Sequence, residues 1–246
     1  MIQSKILLLL PALSLCVRVL PGQNYFQQTF NRDFRDAGYG LELLPNNDFI
    51  LAGLSGPTQS EAIWIQLLDA QGTTLWSQLY DGGGSFAATD IQRVQSGGGY
   101  WVIYNSGLGA GWVKISDTGD LLYSQINSLD CVFRRILPLS DGGFLISGYE
   151  WTNSNRNAFL LKINPGGNVV WKTGFGGAGD DEIDNCWEDT EGFIYCSGYS
   201  ENFDGNRDGL LARLSPAGAL LWTRLYGSSA TDQFAGIAPF SSDNSL

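Results

Sequence analysis

Four short stretches, "DAQG" (69–72), "SDTG" (116–119), "NPGG" (164–167) and "SPAG" (215–218), recur along the chain at spacings of 47, 48 and 51 residues. Each begins with Asp, Ser or Asn and ends in Gly, as the first and last positions of a type I turn prefer, and two carry Pro second. Each quartet is therefore predicted to join two antiparallel strands. Four residues after each final Gly (Gly72, Gly119, Gly167, Gly218) stands an aromatic: Trp76, Tyr123, Trp171 and Trp222. Ahead of each turn runs a segment with apolar residues on both faces: "AIWIQLL", "GWVKIS", "AFLLKIN", "GLLARLS". Earlier again come "DFILAG", "GYWVIY", "GFLISG" and "GFIYCSG", each after a turn and another short strand. Each unit thus holds four strands, A to D.

A four-stranded unit repeated about every 48 residues buries both faces only against copies of itself, which is how β-propeller blades are built. The predicted fold is all-β, a β-propeller of four-stranded antiparallel blades at 35–80, 81–127, 128–175 and 176–227. Residues 23–34 read as a closing D strand, with Phe26 at the aromatic position, and 228–246 as a partial blade. That makes about 4.6 blades in the 224 residues from Gln23. An open arc exposes two sheet edges, so the sequence is expected to be a fragment of a larger propeller. The periodic aromatics are predicted to be wedges between blades. Ten residues beyond an aromatic fall Asp36, Asp181 and Asp232, placed to satisfy backbone N–H groups where strand D hands over to the next strand A.

Residues 1–22 combine Lys5, an apolar run from Ile6 to Val17 and small residues near Gly22, the layout of a secretory signal peptide. Arg18 breaks the run before it reaches the roughly 20 residues of a membrane span. Lipidation at Cys16 is the lesser alternative, because Leu15 stands where such signals prefer a small residue. No other transmembrane segment is expected in the mature chain. Cleavage at 22 would remove Lys5 and Arg18 and leave 12 basic against 25 acidic residues, a net charge of −13. Such a surface repels nucleic acid and anionic membranes and suits cations, glycans or basic proteins. Cys186 and Cys196 flank the turn of "CWEDTEGFIYC". They are read either as a bridge worth about 2–3 kcal/mol in an oxidising compartment or as two buried thiols.

The repeat resembles that of secreted bacterial propellers common in Bacteroidetes, of the kinds called SBBP or quinoprotein-like. The residues that carry the likeness are "DGGFLISGYE", "AFLLKINPGGNVVWKTGFGG", "GFGGAGDDEID", "EGFIYCSGYS" and "NFDGNRDGLLARLSPAGALLWTRLYG". The resemblance spans nearly the whole mature chain and implies an extracellular scaffold. Active quinoprotein dehydrogenases carry adjacent cysteines near the quinone, and no such pair occurs here. Asp69 precedes Gly72 by three and Trp76 by seven, which departs from the spacing of sialidase boxes.

The chain contains no His, which excludes Ser-His-Asp and Cys-His chemistry and His-ligated zinc. The expected function is a secreted or cell-surface, non-enzymatic scaffold that binds an extracellular protein or glycan through loops on one face. The alternatives are a quinoprotein-like or carboxylate-based enzyme, or an envelope-assembly lipoprotein. Asp204, Asn206 and Asp208, followed by Gly209, match the first half of a calcium loop, but Ser215 stands where such a loop wants Glu. In a propeller the B–C loops and D–A connections open on one face. Tyr149, Trp151, Asp180, Asp181, Tyr199, Glu201 and Phe203 are expected to gather there as ligand-binding candidates.

Overall fold

A computed structural model of the chain describes residues 35–239, except 96, 128, 129, 153, 154 and 202–204. The signal peptide, Cys16, the 23–34 strand with Phe26, Phe203 and Asp204 lie outside the described residues. Blade one comprises β1 (Arg35–Leu43), β2 (Phe49–Gly56), β3 (Ala62–Leu68) and β4 (Thr74–Tyr80). Blade two comprises β5 (Phe86–Arg93), β6 (Tyr100–Ser106), β7 (Gly109–Ile115) and β8 (Leu121–Ile126). Blade three comprises β9 (Cys131–Pro138), β10 (Phe144–Thr152), β11 (Asn155–Ile163) and β12 (Val169–Phe175). Blade four comprises β13 (Asp181–Glu188), β14 (Ile194–Glu201), β15 (Arg207–Leu214) and β16 (Leu220–Tyr226). Each blade is a separate four-stranded antiparallel meander, and the whole is a β-propeller-like all-β fold.

The four C–D turns form as their sequence dictates. The amides of Gly72, Gly119, Gly167 and Gly218 bond back to the carbonyls of Asp69, Ser116, Asn164 and Ser215 at 2.9–3.1 Å. The first side chain of each turn also accepts backbone N–H groups: Asp69 takes those of Gln71 and Thr73, and Asn164 those of Gly166 and Asn168. The glycines sit at φ of 81 to 86°, where a side chain is strained. The amides of Asp69, Ser116, Asn164 and Ser215 donate in turn to the carbonyl just after the glycine, so each is a type I turn closed by a glycine bulge. A register shift further along the fourth strand leaves Leu75, Leu122, Val170 and Leu221 as extra residues.

Burial explains why the strands are apolar on both faces. Ile50 and Ile65 of blade one pack with Ile91, Val102 and Ile115 of blade two. Trp101, Ile103 and Trp112, from the other face of blade two, meet Phe133, Phe144 and Phe159 of blade three. Leu145 and Leu160 then meet Ile183, Ile194 and Leu214 of blade four. The first strands pack in succession, β1 on β5, β5 on β9 and β9 on β13, while the fourth strands are largely exposed.

The periodic aromatics are wedges. A Cβ added to Gly119 would lie 3.3 Å from the Trp76 ring, one on Gly167 3.0 Å from Tyr123, and one on Gly218 2.5 Å from Trp171. Each aromatic therefore sits on the turn glycine of the following blade. The carbonyls of the same glycines accept hydrogen bonds from the preceding blade: Gly119 from Tyr80 (2.6 Å), Gly167 from Trp112 (3.0 Å), Gly218 from Thr173 (2.6 Å). Trp222 meets Tyr195 edge-on instead.

Residues 228–239 form no strand, yet their path begins like that of a first strand. The Asp232 amide donates to Arg207 O at 2.8 Å, as the Phe86 amide does to Glu61 O where blade two begins. The Asp232 carboxylate accepts the Ser228 N–H, and that of Asp181 accepts the Gly177 N–H, each at 2.7 Å. These are the backbone roles their positions predict.

Candidate functional site

The second-to-third-strand hairpins and the inter-blade connections do share one face. Glu201 N donates to Asp180 O, Trp151 N to Asp130 O and Asp232 N to Arg207 O, each linking a hairpin to a connection. Between blades three and four this face is organised by Arg156, on β11. Its Nε and one terminal nitrogen both reach Asp180 Oδ2, at 2.8 and 2.6 Å, while its amide donates to Oδ1 at 2.9 Å. The other terminal nitrogen lies 3.6 Å from Glu182. The guanidinium faces the rings of Tyr149, Trp151 and Tyr199 at 5.2, 5.9 and 5.9 Å, a cation held among three π-faces. Glu182, buried, also takes Arg134 and the Tyr199 hydroxyl.

The sequence thus locates a real cluster, but most of its members are spent inside it. Tyr149 and Tyr199 are only 9% and 3% exposed. Asp180 is locked to Arg156, Asp181 is buried against the Gly177 amide, and Glu201 pairs with Arg207 at 3.0 Å. Trp151, at 48% exposure, is the candidate among them that offers a large free surface. Arg156, which ties the group together, was hidden in "NSNRN" as one polar residue among several.

Electrostatics follow the pairing. Burial pushes the Asp180 carboxyl up, but the Arg156 amide and guanidinium outweigh it, and it ends below its ordinary range. Burial, then the Glu182 carboxylate, push the Tyr199 phenol up to about 12. Burial likewise raises the Asp181 carboxyl. A carboxylate with a lowered folded pKa stabilises above its unfolded value, about 3.9, and that contribution is lost as pH falls through the folded value. Acidification from pH 5 to pH 3 is therefore expected to lower the melting temperature more steeply in the wild type than in Asp180→Asn. Parallel thermal-melt profiles would remove Asp180 as a contributor.

Around the calcium candidate, Asn206 Nδ2 donates to Asp208 Oδ1 at 3.2 Å and to Ser228 O at 3.0 Å, tying the hairpin to the next connection. Among the described residues no group of three or more acidic or cysteine side chains is placed to hold a metal ion. Cys186 and Cys196 stand directly opposite each other on β13 and β14, as their flanking of the turn predicts. In this structure both are buried free thiols. Burial and the neighbouring Cys186 raise the Cys196 thiol well above its ordinary value.

A feature not foreseen lies on the first strands. Each carries a β-bulge at the same place, with Tyr39, Thr89, Arg134 and Asp184 as the extra residues. In three blades the second strand has a glycine opposite: Gly53, Gly148 and Gly198. A Cβ there would lie 1.9–2.0 Å from a first-strand carbonyl oxygen. The four bulged residues line one cavity.

No protein-family model matches the sequence, and no curated protein matches it. Among solved structures, one similar chain is a protein of unknown function from Bacteroides caccae, 14% identical with a TM-score of 0.46; the match covers 74% of this chain and 60% of that one. A eukaryotic initiation factor is 7% identical with a TM-score of 0.42, covering 76% of this chain and 56% of that one. Sqt1 from Chaetomium thermophilum, bound to the N-terminus of ribosomal protein L10, is 11% identical with a TM-score of 0.39, covering 83% and 78%. The chain spans under two thirds of the length of the first two.

Proposed function

We propose that this chain is a non-enzymatic β-propeller scaffold, exported from a bacterial cell, that binds an extracellular protein or glycan through the face carrying its second-to-third-strand hairpins. The observation that carries this reading is Trp151, an exposed ring fixed beside the Arg156 network. A rigid aromatic platform flanked by amides and carboxylates presents area to a ligand at little entropic cost. The non-enzymatic part is supported by the carboxylates of this face, which are held by Arg156, Arg207 and backbone amides, and by a sequence without His. Export is supported by the N-terminal pattern of Lys5 and the apolar run after it.

Glycan and peptide arrays probed with the wild type and with Trp151→Ala test the reading. Loss of an exposed Trp anchor is expected to weaken any specific signal at least tenfold, about 1.4 kcal/mol, while the melting temperature falls by no more than a few degrees. A signal equal in both proteins would remove this face from the function.

A further inference from the structure

The bulged residues of successive first strands converge on a cavity of about 340 Å³, lined by Tyr39, Thr89, Arg134, Arg135, Asp184 and Gln233. A bulge turns one extra side chain out of the pleat, so four blades each contribute one residue to the same space. We propose that this cavity binds a carboxylate-bearing ligand, with Arg135 as the group that holds it.

The charges decide the class. Arg134 is neutralised by Glu182. Asp90, beside the cavity, is buried, and its two oxygens accept the Ile91 and Ile136 amides at 3.0 and 3.1 Å. Asp184 takes the Gln233 amide at 3.4 Å. Arg135 is exposed and makes no ion pair among the described residues, and it lines this cavity and a second one of about 240 Å³ next to it. A guanidinium presents paired N–H donors that match a carboxylate in a bidentate fork. Beside it, along with Asp184, stand neutral groups suited to a small polar acid: the Tyr39 phenol, the Gln233 amide and the Thr89 hydroxyl, which has no hydrogen-bond partner among the described residues. In a chain of net charge −11, Arg135 is a local attractor for an anion, although the Asp90 and Asp184 carboxyls already feel its charge. The volume admits one acidic side chain or one sugar acid.

Both sources share the carboxylate, and two pairs of probes separate them. Isothermal titration would compare Gly-Glu-Gly with Gly-Gln-Gly, and galacturonate with galactose, on the full chain. One acid is expected to bind at least tenfold more tightly than its neutral counterpart, and which pair discriminates names the source. Arg135→Gln is expected to abolish that preference, Arg135→Lys to retain part of it, and Arg224→Gln, a charge control on the exposed β16, to leave it intact. No binding of either acid at 50 mM, equal binding of acid and neutral probes, or an unchanged preference in a folded Arg135→Gln protein would overturn the proposal.

Discussion

Gly198→Ala is expected to cost about 3–4 kcal/mol of stability or to abolish folding, because its Cβ would fall 1.9 Å from the Glu182 carbonyl oxygen and 3.0 Å from Ile183 Cα. Those are backbone atoms, and no rotamer relieves the overlap. β13 must move away from β14, and that movement undoes the bulge at Asp184 and disturbs the buried Glu182 that Arg134 and Tyr199 share. For a chain of this size the loss corresponds to a fall in melting temperature of roughly 10 °C. Gly38→Ala is the matched control on another first strand: its Cβ would meet nothing within 4 Å, and the expected change is within about 1 kcal/mol. Denaturant melts of the two variants decide the matter. Similar losses in both would mean that the close approach of the first two strands is not what requires glycine.

Trp171→Ala should cost about 2–3 kcal/mol, and Trp222→Ala less than about 1 kcal/mol, although the two residues occupy the same position in the repeat. Trp171 is wedged between blades, with its ring against Gly218 and its body packed on the blade-three and blade-four core. Trp222 has an edge contact with Tyr195 and the Arg224 guanidinium 5.1 Å from its ring. Truncating the first leaves a cavity at an interface; truncating the second removes mainly half-exposed surface. Equal costs would mean that the aromatic acts within its own blade, and the wedge reading would fail.

The contrast between those tryptophans also marks how far the sequence could be read. The four turns were legible because "DAQG", "SDTG", "NPGG" and "SPAG" each demand a helper side chain first and a positive φ last, and local chemistry suffices for both. The division into four-stranded units followed from the spacing of those turns, and the wedge role of the aromatics followed from their periodicity. The bulges escaped notice because the extra residue differs in every blade, Tyr39, Thr89, Arg134 and Asp184, and no residue type announces it. The signal lay one strand later, in the Gly of "ILAG", "LISG" and "YCSG", and blade two, with Tyr104 there, lacks even that. At the candidate site, proximity was legible and orientation was not. Tyr149 and Tyr199 directly follow those glycines, where alternation turns them between blades onto Arg156, leaving Trp151, two residues further along β10, at the open rim.

The inter-blade contact on which the whole repeat depends is best measured by a double-mutant cycle between Trp171 and Gly218. Gly218→Ala alone combines a strained φ of 81° with a collision against the Trp171 ring, whereas in a Trp171→Ala background only the backbone strain remains. If aromatic and glycine form one device that clamps blade three to blade four, the two single losses should exceed the double loss, with a coupling of about 1 kcal/mol or more. Additivity to within about 0.3–0.5 kcal/mol would show that the two residues act independently, and the blade-to-blade wedge would have to be abandoned.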